Sequence, residues 1–217
     1  MTFTTKLKNK LKHTTENFTL FTVGKYIRYI QRPKLPQQAN GKHWLHIGCG
    51  LANDPRYINM DTRPGLHIHV VDTIQNIHKH FGEKRLDLVY ACHILEHIPY
   101  AEISGVLRKI YFVLKKNGVF RISVPNFKTI VAMYQEKHQL EDILPPLMGG
   151  QGYADNFHYI AYDKDYLTRM LKNAGFKEVR EWNPHTTPEH TFDDWAARTF
   201  PLYGKNWPIS LNIEGIK

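Results

Sequence analysis

From residue 42 onward, short runs of aliphatic and aromatic residues alternate with stretches in which apolar side chains recur every three or four positions. The short runs predict strands over residues 43–48, 57–61, 67–72, 86–91 and 118–124, the first closing on a glycine and the next two on aspartates. Between the last two, Ile103, Val106, Leu107, Ile110 and Leu114 share a helical face, and Lys115-Lys116-Asn117-Gly118 supplies its stop. Strands that alternate with helices call for a parallel sheet covered by helices on both faces. Ligands of such a sheet collect at the carboxyl ends of the strands. The tail breaks this rhythm. Asp163 can cap a helix bearing Tyr166, Leu167, Met170, Leu171 and Ala174, closed by Gly175 and followed by a strand over 179–182 and an alternating run over 210–216. Too few residues follow Trp182 for another covered crossover, so the last two strands are expected to pair antiparallel across a long connection.

The first 38 residues read as a separate unit. Phe3, Leu7, Leu11 and Phe18, then Leu20, Val23, Ile27 and Ile30, form apolar stripes with lysines on the other face, and Pro33 and Pro36 end the helices near Gln38. Charge sharpens the division. Residues 1–43 hold nine Lys and Arg against Glu16 alone, which is +8 of the formal +9. A nearly neutral remainder at 44–217 argues against a nucleic-acid partner for the domain at 39–217. The basic, amphipathic leader at 1–38 suits peripheral contact with an anionic membrane, or packing on the domain with a solvated basic face. With no apolar run long enough to span a bilayer and no secretory signal, a cytoplasmic protein with Cys49 and Cys92 as reduced thiols is expected.

The candidate chemistry stands at strand ends. Gly48-Cys49-Gly50 lets the backbone approach a ligand where the first strand turns. A dinucleotide fingerprint would want a third glycine where Asn53 stands and an acidic residue about twenty positions on, whereas Asp61 follows Gly50 by eleven. The short link, with Pro55 in it, leaves no helix N-terminus for a pyrophosphate. A nucleoside without that group loses nothing, and Asp61 can accept its ribose hydroxyls.

Residues 45–50, 57–61, 86–97 and 114–125 resemble the successive motifs of class I S-adenosylmethionine-dependent methyltransferases, and the short step from Gly-Cys-Gly to Asn59-Met60-Asp61 is similar to a subgroup associated with surface-polysaccharide biosynthesis. Ala174-Gly175-Phe176 and 210–214 extend the likeness over about residues 42–217. The resemblance implies a Rossmann-like seven-stranded α/β sheet in order 3-2-1-4-5-7-6 with strand 7 antiparallel, and S-adenosyl-L-methionine as cofactor. It implies Gly48, Cys49 and Gly50 along the methionine part, Asp61 at the ribose and Asp72 near the adenine. Ala91, Cys92 and His93 would lie by the methionine amine and sulfonium. Asn117-Gly118 stands where many relatives have Gly-Gly, a turn position that leaves the cofactor assignment intact.

Methyl transfer is an in-line displacement, so alignment of the acceptor carries much of the acceleration, and a hydroxyl acceptor must also shed a proton. Histidine suits that task near neutrality. Of thirteen histidines, His93, His97 and His158 are the candidates, the first two just past the fourth strand and the third after a glycine-containing loop. The subgroup likeness implies O-methylation of a sugar hydroxyl in a surface glycan or its precursor, and Tyr153, Phe157, Tyr159 and Tyr162 would suit stacking on a sugar or a place in the core. Another small molecule, or RNA, is the alternative acceptor. A different reading comes from His93-Ile94-Leu95-Glu96-His97, which fits H-x-x-E-H of zinc hydrolases. Pro99 cuts short the helix that motif needs. In a milder form His93, Glu96 and His97 would hold a divalent ion, resembling the Glu-x-x-Glu-His set of some metal-dependent O-methyltransferases, with the first ligand changed. No resident metal is the expectation.

Overall fold

The structure is a computed structural model and describes residues 34–36, 38, 40–152 and 156–217. The helices expected in the leader, and Tyr153, lie outside the described residues. Nine strands are described: β1 (Trp44–Ile47), β2 (Tyr57–Asp61), β3 (Val70–Val71), β4 (Leu86–Cys92), β5 (Leu114–Pro125), β6 (Glu178–Glu181), β7 (Thr199–Leu202), β8 (Lys205–Pro208) and β9 (Ser210–Ile216). The α-helices are α1 (Ile77–His80), α2 (Tyr100–Val113), α3 (Phe127–Lys137), α4 (Leu140–Met148) and α5 (Lys164–Ala174).

Seven strands form one sheet in the order β3-β2-β1-β4-β5-β9-β6, and β7 pairs with β8 apart from it. Pairing is parallel from β3 to β5, and β9 runs antiparallel between β5 and β6. This is the expected Rossmann-like sheet, with the last strand in the antiparallel place. One face buries Leu45, Ile47, Ile58, Met60, Val89, Ala91, Phe120 and Ile122 with Ile103, Leu107 and Ile110 of α2 and Leu167 and Leu171 of α5. The helical spacing of those residues reflects their packing on that face. Asp163 and Gly175 cap α5 as the pattern requires, the Asp163 carboxylate accepting from the Tyr166 amide and Gly175 turning left-handed.

The opposite face is aromatic. Tyr57, Tyr90 and Trp182 meet segment 183–198 there. Phe192 stacks on His46 with centroids 4.9 Å apart, and the Tyr90 hydroxyl donates to Asp194 at 2.5 Å. Charge ties the strands that close the sheet. Buried Glu214 of β9 accepts from Arg121 of β5 at 3.0 Å and from Arg180 of β6 at 2.7 Å.

Three expectations change. The third strand shrinks from 67–72 to Val70–Val71, because His67 turns its Nε2–H onto the Gly50 carbonyl and the His69 ring accepts from the Asn59 amide, both at 2.9 Å. Backbone positions before β3 are thereby drawn into the glycine turn. Helices α3 and α4 and the hairpin β7–β8 fill the long connections, and α3, α4 and the hairpin share a small apolar cluster around Ile130, Met133, Ile143 and Ile209. Tyr203 and Gly204, both at positive φ, make the hairpin turn. Among the described residues, no helix is long and apolar enough to cross a membrane.

Candidate functional site

A cavity of about 700 Å³ opens at the carboxyl ends of the parallel strands. That volume suits a nucleoside-sized ligand with part of a second molecule. At the end of β1 the chain turns through Gly48 and Gly50, both at positive φ. Gly48 donates to the Met60 carbonyl at 2.7 Å, and a Cβ there would overlap the Ile94 side chain. Glycine is needed on both counts. Gly50 donates to one oxygen of buried Asp61 and Arg63 to the other, each at 2.9 Å. Arg63 Nε also reaches the oxygen that its amide holds, at 3.4 Å, so the oxygen bonded to Gly50 is the one that keeps a second lone pair toward the cavity that Asp61 lines. Asp72, also in the lining, accepts from Asn76 at 2.8 Å and lies 2.7 Å from His80 Nε2. Those two partners, Asn76 first, hold its carboxyl down at about 2, so it is charged.

The far wall is built just beyond the end of β4. Cys92, His93 and His97 line it, with His158 reaching in from the loop beyond α4. Leu95–His97 is a single 3-10 turn and α2 starts only at Tyr100, so His93 and His97 do not share a helix. This removes the zinc-hydrolase reading, whose two histidines must project from one helical face. His93, itself at positive φ, is held by Ser210 Oγ at 2.8 Å from Nε2, and Ser210 donates on to the Trp195 carbonyl at 2.6 Å. Burial lowers its pKa to about 3, so its ring is a poor proton acceptor and better suited to positioning. His97 Nδ1 donates to the Phe157 carbonyl at 3.0 Å, which in the neutral ring leaves the lone pair on Nε2. The His97 and His158 rings meet edge to face at 4.9 Å. Burial, then His97, brings His158 down to about 4.

The cavity thus gathers Gly48, Asp61, Asp72, Cys92, His93, His97 and His158, while Cys49, Gly50 and Ala91 do not line it. Cys49 and Cys92 are free thiols whose pKa values burial raises, which leaves no thiolate for covalent chemistry. Of the four aromatics proposed for sugar contact, Tyr159 lines the cavity, whereas Tyr162 is fully buried with its hydroxyl on the Leu95 carbonyl. Tyr162 is core. Trp195 lines the cavity and escapes sequence reasoning, since no periodicity marks segment 183–198 as a wall of the site. Glu96 stands out in the sequence as part of the hydrolase motif and of the likeness to the Glu-x-x-Glu-His set. It is fully buried beside His93, His97 and His158.

A parallel sheet with a nucleoside-sized cavity at its strand ends, an acidic residue closing β2 and a glycine turn after β1 is the geometry of a site for a nucleoside-containing cofactor. Residues 21–181 match the family model described as methyltransferase domain, and the chain belongs to that family. It is an S-adenosylmethionine-dependent methyltransferase. No curated protein matches its sequence. Among solved structures, a SAM-dependent methyltransferase from Archaeoglobus fulgidus superposes with a TM-score of 0.52 at 18% identity, over 89% of this chain and 91% of that one. A Thermotoga maritima SAM-dependent methyltransferase, described as a candidate histamine N-methyltransferase, gives 0.51 at 14% identity, over 96% and 97%. A candidate O-methyltransferase from Nostoc punctiforme gives 0.42 at 17% identity over 75% of this chain, which spans only 36% of that protein's length.

Proposed function

We propose that this methyltransferase acts on a sugar hydroxyl, in a surface glycan or its precursor. S-Adenosylmethionine supplies a methyl carbon made electrophilic by a positively charged sulfur. The donor set of the cavity fits it: Asp61 has a lone pair to spare for the ribose, Asp72 is a charged acceptor at the nucleoside end, and Gly48 presents bare backbone where a side chain would intrude. The observation that carries the acceptor reading is the pair His97 and His158 at the other end of the same cavity. A neutral amine could react without losing a proton beforehand, whereas a hydroxyl has to shed one, and the His97 imidazole, with His158 packed against it, provides for that. Tyr159 and Trp195, more than a third exposed in the cavity wall at 57% and 40%, support a sugar by offering apolar faces for its C–H groups. As the acceptor oxygen bonds to the methyl carbon, the carbon–sulfur bond breaks and its electron pair stays on sulfur. The hydroxyl proton leaves by way of His97, and His158 positions that ring.

Radiolabelled methyl transfer to extracted glycan, run beside RNA, protein and small amines, tests the reading. Label in glycan alone, in alkali-stable ether linkage, is expected. Label in RNA, protein or amine alone overturns the acceptor class.

A further inference from the structure

Two carbonyls of segment 183–198 are held from one face of β9. Ser210 Oγ stands 2.6 Å from the Trp195 carbonyl oxygen, and Asn212, two positions on and therefore on the same face, donates to the Ala196 carbonyl at 2.9 Å. The Ser210 hydroxyl also meets His93 Nε2, at 2.8 Å. Its one hydrogen has a fixed place. Two oxygens 2.6 Å apart need a hydrogen between them and a carbonyl brings none, so Ser210 donates to Trp195. Oγ is then an acceptor toward His93, which has to carry its hydrogen on Nε2. Burial lowers the pKa of that ring to about 3, so it holds no second proton and Nδ1 keeps a bare lone pair. Glu96 Oε1 faces Nδ1 at 3.4 Å, and burial pushes that carboxyl up to about 8, so it stands there as an acid with its own hydrogen. The opposite tautomer would take the Ser210 hydrogen for Nε2 and leave the contact with Trp195 between two bare oxygens. The backbone adds to the constraint, since His93 is left-handed at φ 53° with its amide on the Ser123 carbonyl at 2.8 Å.

We infer that Ser210 is a positioning residue of the transferase, which locks His93 in its Nε2–H tautomer and ties that ring to the wall carrying Trp195. The His93 and Trp195 rings lie 6.0 Å apart and both line the cavity, whereas Ser210 does not. One hydroxyl behind the wall thus sets two side chains in it. A second proton on His93 would place like charge beside the positively charged sulfur of the cofactor, and the locked, neutral ring avoids that. An in-line displacement depends on how its two reactants are oriented, which Ser210 governs without touching either. The tautomer stands on the chain's own hydrogen bonds, and its bearing on transfer rests on His93 facing the methionine end of the cofactor.

The test reads the tautomer in full-length, ligand-free protein labelled with ¹⁵N-histidine, by long-range proton–nitrogen NMR at neutral pH, with the His93 signals identified by their loss in His93→Gln. A protonated Nε2 and a bare Nδ1 are expected. Ser210→Ala should move His93 toward the other tautomer and lower methyl transfer about fivefold to tenfold, the effect of one lost hydrogen bond, with calorimetric affinity for S-adenosylmethionine within about twofold of the parent's. Ser210→Thr, which keeps the hydroxyl, should recover the tautomer and most of the turnover. A bare Nε2 in the parent overturns the lock. A Ser210→Ala protein that melts lower but keeps both tautomer and turnover reduces Ser210 to a structural contact and overturns its role. Where Ser210→Ala does not fold, the parent's spectrum decides. The tautomer is read without cofactor or acceptor, so label appearing in another acceptor class would overturn the glycan reading and leave this one standing.

Discussion

At the proposed cofactor end of the cavity, Gly48, Gly50, Asp61 and Asp72 lie within a span of 24 positions and are joined by backbone hydrogen bonds between neighbouring strands. At the proposed acceptor end, the His93 side chain meets Ser210 at the start of β9 across 117 positions and the His97 side chain meets the Phe157 carbonyl across 60. The first end is fixed as soon as β1 and β2 pair in register. The second exists only when three distant segments have docked. Gly149 serves that docking, since a Cβ on it would run into the Asn156 backbone. Substitutions at the two ends should therefore separate, with affinity and backbone strain on one side and turnover on the other. Ile94 stands between them, packed over Gly48 one residue after His93.

The largest expected effect tests the acceptor end. His97→Ala and His158→Ala should each lower methyl transfer by about a hundredfold to ten-thousandfold, while calorimetry with S-adenosylmethionine shows the parent's affinity. Equal loss of affinity would mean that the two ends do not act separately.

Next comes a region beneath β1 that belongs to neither end. Burial, aided by His190, lowers His46 from 6.5 to about 4, against the opposing pull of Asp194, Asp61 and Asp54. Between those two pH values the unfolded chain binds a proton there and the native protein does not, so stability falls as pH falls, by about 3 kcal/mol. His46→Phe should remove that share. Thermal melts of parent and variant that keep the same separation over this pH range would contradict it.

A smaller effect belongs to the cofactor end. Asp61→Ala should weaken S-adenosylmethionine by about 1.5 to 3 kcal/mol, the value of a charged acceptor, and leave turnover at saturating cofactor nearly intact. A fall in turnover with unchanged affinity would move Asp61 to the other side of the comparison.

The smallest probes the seam. Gly48→Ala should cost about 1 to 2 kcal/mol of stability through its left-handed backbone. Ile94→Val, in the same chain, should recover part of any further loss by giving the new Cβ room. A double-mutant cycle with zero coupling would show that Ile94 does not transmit between the ends.

Much of the scaffold is legible before folding. Strand β2 falls on the expected 57–61 and β9 on 210–216, because alternating or continuous apolar runs bury in only one way in a sheet. The glycine turn and Asp61 are legible for the same local reason. Helices α3 and α4 are harder to read, since their apolar residues pack on one another and on a hairpin rather than on the sheet, and Pro145-Pro146 interrupts the second. A Tyr-Gly turn flanked by Phe200, Leu202 and Trp207 is the signal that could have found the hairpin.

Glu96 shows where local reading stops. Its motif suggests a partnership with His93 and His97, yet the turn after β4 sends His93 to Ser210 and pairs His97 with His158 from sixty-one positions later. Periodicity and turn chemistry follow from interactions between near neighbours in the chain, so the amino-acid order settled the sheet, its strand ends and the carboxylate at β2. The company that Glu96, His158 and Trp195 keep depends on which loops dock over the sheet. That is a balance of loop closure and packing among residues far apart in sequence, and it acquires a definite outcome only in the folded molecule.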